Sequence, residues 1–194
     1  QQLQVAFENK PLPEQARGKP ADVETPEIAC VMADGGRYQH LDRQANSPRS
    51  VSARKGEHWK ESRIGILARM SGEQYANDPQ PVLPPELRYD VVAEKLTEIG
   101  KTGGKLDQSE ESTEVETVSE GLVGPALKSR HVVASRQSWE AFGPLLASQA
   151  WYQGFMAAGR KVFVSDGSAT IEKMQRTHFG NFVSVLDILH ALSY

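Results

Sequence analysis

Ile28-Ala-Cys-Val-Met-Ala33 followed by Asp34-Gly35, and Val162-Phe-Val-Ser165 followed by Asp166-Gly167, are two apolar runs that end alike. A third run, Phe182-Val-Ser-Val-Leu186, stops at Asp187 and leads into Ile188-Leu189-His190. Continuous apolar runs of this length read as buried strands, and an open α/β sheet carries its chemistry at the carboxyl ends of its strands. Carboxylates brought from different strands to one edge can hold a divalent cation.

Working outward, residues 1–27 hold Pro11, Pro13, Pro20 and Pro26 among many polar residues and read as an extended, Pro-rich lead-in. Gly35-Gly36 reads as a turn after strand one, with Arg37–Arg43 returning as a second strand. His58–Met70 reads as a third, its apolar content being Trp59, Ile64, Ile66 and Leu67. Three strands in succession with short links suggest an antiparallel meander. Asp78-Pro-Gln-Pro-Val-Leu-Pro-Pro85 is extended by its prolines, Tyr89–Ile99 has helical spacing, and residues 103–121 are polar and acidic. Together residues 71–131 read as an acidic, Pro-rich insertion.

Order returns at His131-Val-Val-Ala134, with Ser135 as a candidate N-cap. Trp139, Phe142, Leu145, Leu146, Tyr152 and Phe155 follow at helical intervals up to Gly159, and Pro144 is expected to kink or divide this helix. A strand at Lys161–Ser165, a helix capped by Ser168 or Thr170 and running to His178, a strand at Phe182–Leu186 and a new helix close the chain. Three strands, an insertion and then βα alternation is the element order of an α/β, RNase H-like fold with a mixed sheet over residues 28–194. The start at Gln1 and the stop at Tyr194, a turn into the last helix, lead us to expect a fragment, C-terminally incomplete.

Composition bounds the function classes. A length of 194 residues suits one domain, and 39% hydrophobic with 24% charged residues is ordinary for a globular chain. The single cysteine, Cys30, excludes a disulfide framework, fits a cytoplasmic setting and reads as a buried core thiol. No run approaches the ~18 apolar residues of a membrane span. The net charge of −3 argues against nucleic acid, but its distribution does not. Arg37, Arg43, Arg49, Arg54, Lys55, Lys60, Arg63 and Arg69 face only Asp42, Glu57 and Glu61 within residues 37–69. The acidic excess lies between Glu73 and Glu120. A basic segment beside a carboxylate edge suits a phosphate backbone; ordinary solvated charge is the plainer reading.

Each candidate has a plainer reading too. Asp-Gly is a common turn dipeptide. Asp187 can be an N-cap, and its i,i+3 partner His190 either shares a helix face with it or is a core histidine. Glu61 can point toward Asp34 or to solvent, and Trp59 reads as core. Zinc is disfavoured, because His40, His58, His131 and His178 show no ligand spacing.

Met32-Ala-Asp-Gly-Gly-Arg37, His58-Trp-Lys-Glu61, Ser138-Trp-Glu-Ala-Phe-Gly143, Val164-Ser-Asp-Gly167 and Leu186-Asp-Ile-Leu-His-Ala-Leu192 together resemble insertion-sequence transposases of the Kra type, relatives of the Mutator-like DDE transposases. The resemblance implies catalytic Asp34 and Asp166 holding Mg²⁺ or Mn²⁺, and an Asp-x-x-His pair in Asp187 and His190. It also implies a further Glu on a later helix, which this chain does not contain. DNA is the implied partner, contacted by Arg37, Arg43, Arg54, Lys55, Lys60 and Arg63. A homo-oligomer in the full-length protein and the bacterial cytoplasm or nucleoid are implied as well. Two other readings stay open: a catalytically inactive DNA-binding or regulatory remnant, and a metal-dependent nuclease on the same fold.

Overall fold

A computed structural model describes residues 2–39, 59–79, 81 and 124–187; the side chains of 37–39 and 59 lie outside the description. The elements in chain order are α1 (Gln2–Glu8), α2 (Leu12–Arg17), β1 (Ile28–Gln39), β2 (Trp59–Ser71), β3 (Ala126–Ser135), α3 (Trp139–Tyr152), β4 (Arg160–Ser165), α4 (Ala169–His178) and β5 (Val183–Leu186). A single turn of 3₁₀ helix, Phe155–Ala157, joins α3 to β4.

The five strands form one mixed sheet in the order β3-β2-β1-β4-β5. The first three pair antiparallel, whereas β4 lies parallel to β1 and β5 parallel to β4. Parallel neighbours need a crossover, and α4 supplies it between β4 and β5. The α/β class expected from the sequence is observed, with a mixed sheet.

Four sequence expectations are corrected. Gly35-Gly36 is not a turn: β1 runs through it, Gly35 pairing with Arg63 and Gly36 with Ser62, and the ladder continues to Gln39↔Trp59. Cross-strand pairing over the whole length of β1 outweighs the local turn preference of two glycines. Arg37–Arg43 is therefore no separate strand, since residues 37–39 complete β1 and 40–43 lie outside the described residues. The third strand is β3, beyond the insertion, so its ladder to β2 shortens the insertion expected at 71–131 from both ends. Finally, residues 1–27 are not simply extended. They fold α1 and α2 back onto the core, where Phe7 is 4% exposed and its ring lies 6.2 Å from that of Trp151.

Alternation along β1 shows how the sheet is covered. Ala29, Val31 and Ala33 are buried against the helices, with Leu67, Val133 and Phe163 on the neighbouring strands. Phe142, Leu146 and Ala150 recur every four residues along α3 and reach the same core. Gly65 admits this helix closely, because a Cβ there would stand 2.5 Å from Leu146 Cδ1. The opposite sheet face carries the cross-strand row Val185, Val164, Met32, Ile66 and Val132.

Two helix boundaries also differ from the reading. Ser138, not Ser135, caps α3, its side chain accepting from the Ala141 N–H. Pro144 lies inside a continuous α3. The hydrogen bond it forgoes would have reached the carbonyl of Glu140, an exposed residue in the first turn where water can serve. The helix stops at Tyr152 rather than Gly159, since Gly154 turns the chain with φ 77°.

Candidate functional site

The last rung between β1 and β4 is Ala33↔Ser165, and the last between β4 and β5 is Ser165↔Leu186. Asp34, Asp166 and Asp187 are thus each the next residue on three adjacent strands. The Asp187 N–H donates to the Ser165 carbonyl at 2.8 Å, which ties the end of β5 to β4. The arrangement follows from the sequence periods: each apolar run spends its hydrophobic residues on the ladder and ends where the parallel pairing ends.

Local hydrogen bonds hold the first two carboxylates. Asp34 Oδ1 accepts from the Gly35 N–H at 2.7 Å, and Asp166 Oδ1 accepts from the Ser168 N–H at 2.8 Å. The second bond is the Asx turn of the plainer reading, and it leads into α4, whose Ser168 makes no side-chain cap. Gly167, at φ 79°, makes the sharp exit possible, and a Cβ there would lie 2.9 Å from Leu186 Cδ1. In each carboxylate, Oδ2 makes none of these bonds. Hard oxygen donors of this kind fit Mg²⁺ or Mn²⁺, which take one or two carboxylates and complete their shell with water and substrate phosphate. Among the described residues no group of three or more His, Cys, Asp or Glu side chains is placed to hold a metal ion.

Beside this edge stands a second cluster that the sequence reading did not assemble. Glu61 Oε1 occupies the space a Gly35 Cβ would need, 2.7 Å away, and Trp139 Cζ2 is 3.3 Å from the same point. Arg63 pairs with Glu61 Oε2 at 2.9 Å, donates to the Glu61 carbonyl at 3.0 Å and lies 5.9 Å from the Trp139 ring centroid. Its Nε is buried without a hydrogen-bond partner. The period-2 spacing of Glu61 and Arg63 was the available signal, since it places both on one face of β2. Glu61 therefore approaches the neighbour of Asp34 but is engaged by Arg63.

The remaining expected residues divide cleanly. Lys60 is exposed on β2, Arg63 is committed to Glu61, and Arg37 is in register with Glu61 by its backbone. Arg43, Arg54, Lys55 and His190 lie outside the described residues. Cys30 is buried, and burial pushes its thiol pKa up, which keeps it protonated and unreactive.

A cleft of about 200 Å³ opens between the first turn of α3 and one face of α4, lined by Trp139, Glu140 and Met174 among others. Glu140 is held below the usual carboxylate range by its own backbone N–H and by the Ser138 hydroxyl, with Lys173 and Arg63 adding to the effect. Burial pushes the pKa of His178, at the end of α4, down, and Glu8 opposes this weakly. Among the described residues no helix is long and apolar enough to cross a membrane. Comparison of the chain with protein-family models, curated proteins and solved structures finds no match.

Proposed function

We propose that the chain is the catalytic part of a DDE-type transposase with an RNase H-like fold, acting on DNA by metal-dependent phosphoryl transfer. The observation that carries this reading is the placement of Asp34, Asp166 and Asp187 at the residue after the last parallel rungs of β1, β4 and β5, in a sheet of order β3-β2-β1-β4-β5. The order of motifs from Met32 to Leu192 supports it.

Bound divalent ions supply activation of an attacking oxygen and stabilisation of a leaving one. Asp34 and Asp166 would hold them. The chain's own task is positional. Adjacent strands fix the two carboxylates, and a backbone N–H orients one oxygen of each, so little reorganisation remains when phosphate arrives. Asp187, tied to Ser165, narrows the same edge from the β5 side. Lys60 and the basic residues of 37–55 track the backbone and contribute affinity without base readout.

Mn²⁺ titration of the purified protein, alongside Asp34→Asn and Asp166→Asn, tests the reading. Each variant is expected to bind the ion about tenfold more weakly or worse, since even outer-shell changes cost that much. Binding of a DNA duplex should stay within about twofold of the parent. Equal Mn²⁺ binding by all three proteins would remove the metal centre; retained DNA binding would then favour an inactive DNA-binding protein on the same fold.

A further inference from the structure

Asp34 stands where the sheet narrows. Its neighbours along β1, Ala33 and Gly35, turn to the helix-covered face, so Asp34 turns to the other, where it is exposed. Pairing with β4 ends one residue earlier, at Ala33↔Ser165, and β3 ends at Ser135, opposite Arg63. Among the described residues, β1 from Gly36 to Gln39 therefore has only β2 beside it. A two-stranded ribbon twists more than the body of a sheet, and glycine at both 35 and 36 adds backbone freedom. A carboxylate at the root of such a ribbon keeps its aim only if the backbone beside it is held.

That hold comes from the helix-covered face. A Cβ on Gly35 would stand 2.7 Å from Glu61 Oε1, and Trp139 Cζ2 closes the same space at 3.3 Å. Glu61 is in turn fixed by Arg63. The guanidinium donates to Glu61 Oε2 at 2.9 Å, to the Glu61 carbonyl at 3.0 Å and to the Arg136 carbonyl at 3.5 Å. The last of these ties the pair to the segment between β3 and α3. A single residue then joins this clamp to the carboxylate, because the Gly35 N–H donates to Asp34 Oδ1 at 2.7 Å.

We propose that Glu61 is a positioning residue for Asp34: locked by Arg63, it seats Gly35, and the seated Gly35 amide aims the Asp34 carboxylate at a divalent cation. This role rests on the metal reading above and adds to it a residue that does not touch the ion. Period-2 alternation puts Glu61 on the face of Gly35 and not of Asp34, so it acts through the backbone. Its volume and its bond to Arg63 carry the effect; its charge does not.

Mn²⁺ titration of the purified protein, read by the electron paramagnetic resonance of the free ion, tests this with variants at both sides of the contact. Glu61→Ala empties the space beside Gly35 and should weaken Mn²⁺ binding about tenfold or more, the scale of outer-shell changes. Glu61→Gln keeps the shape and an oxygen that accepts from Arg63, so its affinity should stay within about twofold of the parent. Gly35→Ala crowds the contact from β1 and should cost about as much as Glu61→Ala; added to Glu61→Ala, where the methyl group has room, it should cost less than about twofold more. Thermal melting shows which variants are folded at the titration temperature, and Gly35→Ala carries the test if Glu61→Ala is not. Affinity unchanged in folded Glu61→Ala or Gly35→Ala would overturn the positioning role, while weaker binding by Asp34→Asn would still stand for the metal reading. Glu61→Gln as weak as Glu61→Ala would overturn it too, by making the charge of Glu61 the active property. Failure of the parent to bind Mn²⁺ would overturn both.

Discussion

Single residues at this sheet edge are constrained by what stands opposite them. Gly35 faces the Glu61 carboxylate and the Trp139 ring, so its lack of a side chain lets β2 and α3 close around the strand that carries Asp34. Gly154 is constrained in two ways: its φ of 77° is left-handed, and a Cβ would lie 2.9 Å from the Glu24 carbonyl oxygen. Gly154→Ala is expected to cost about 2 kcal/mol, from the left-handed conformation and the contact together. In a chain of this size that is a fall in Tm of about 4–8 °C, read by thermal melting. An unchanged Tm would mean that the turn after α3 relaxes freely. Asp34 and Asp166 read differently at this scale. Each spends one oxygen on a neighbouring N–H, Asp34 inside β1 and Asp166 in the turn that leads into α4. What separates them from ordinary turn residues is their adjacency across strands, which no local pattern contains.

Among the elements, α1 and α2 show how little of the N-terminal fold could be read locally. Residues 2–17 have weak helical patterning, yet Phe7 reaches the core, Lys10 lies 4.5 Å from the Trp151 ring centroid, and the Trp151 indole N–H donates to the Glu14 carbonyl. One aromatic residue on α3 thus organises both helices. Phe7→Ala is expected to cost about 3 kcal/mol, the low end for a buried phenylalanine, and to release α1. Faster cleavage after Glu8 by a glutamate-specific protease in the native protein would report that release; unchanged proteolysis would mean that α2 alone secures the segment. The central strands were legible because apolar runs of four to six residues leave few alternatives. The extent of β1 was not, since its partner across Gly35-Gly36 lies 26 residues or more away in sequence and local turn chemistry points the other way. The same holds for β3: residues 126–132 are exposed on an edge strand and carry no burial pattern to read.

On the scale of the whole molecule, the helices cover one face of the sheet while Met32, Val132 and Val185 on the other are 37%, 55% and 40% exposed among the described residues. The covered side couples distant segments through His178, which touches α3 at Gly143 and senses Glu8 on α1. Burial lowers its folded-state pKa below the ordinary 6.5, so the unfolded chain takes up a proton first as pH falls. Stability from this group is complete above pH 6.5, declines as the pH drops from there toward the folded pKa, and levels off below it. Tm measured from pH 7.5 down to 5 should fall in that window, and His178→Gln should flatten the fall. An identical profile in the variant would assign the acid sensitivity to other groups.

Local physics in the sequence determined the strand cores, the helices α3 and α4, and the ending of three apolar runs in aspartate, because periodicity and side-chain chemistry are properties of short segments. Tertiary structure alone decided that those aspartates are neighbours, that β1 passes through its two glycines, that Glu61 and Arg63 close around Gly35, and that a cleft opens beside Trp139. Each of these depends on pairing register or on packing between segments far apart in the chain. Those energies arise only when the sheet is assembled, so no stretch of sequence holds them by itself.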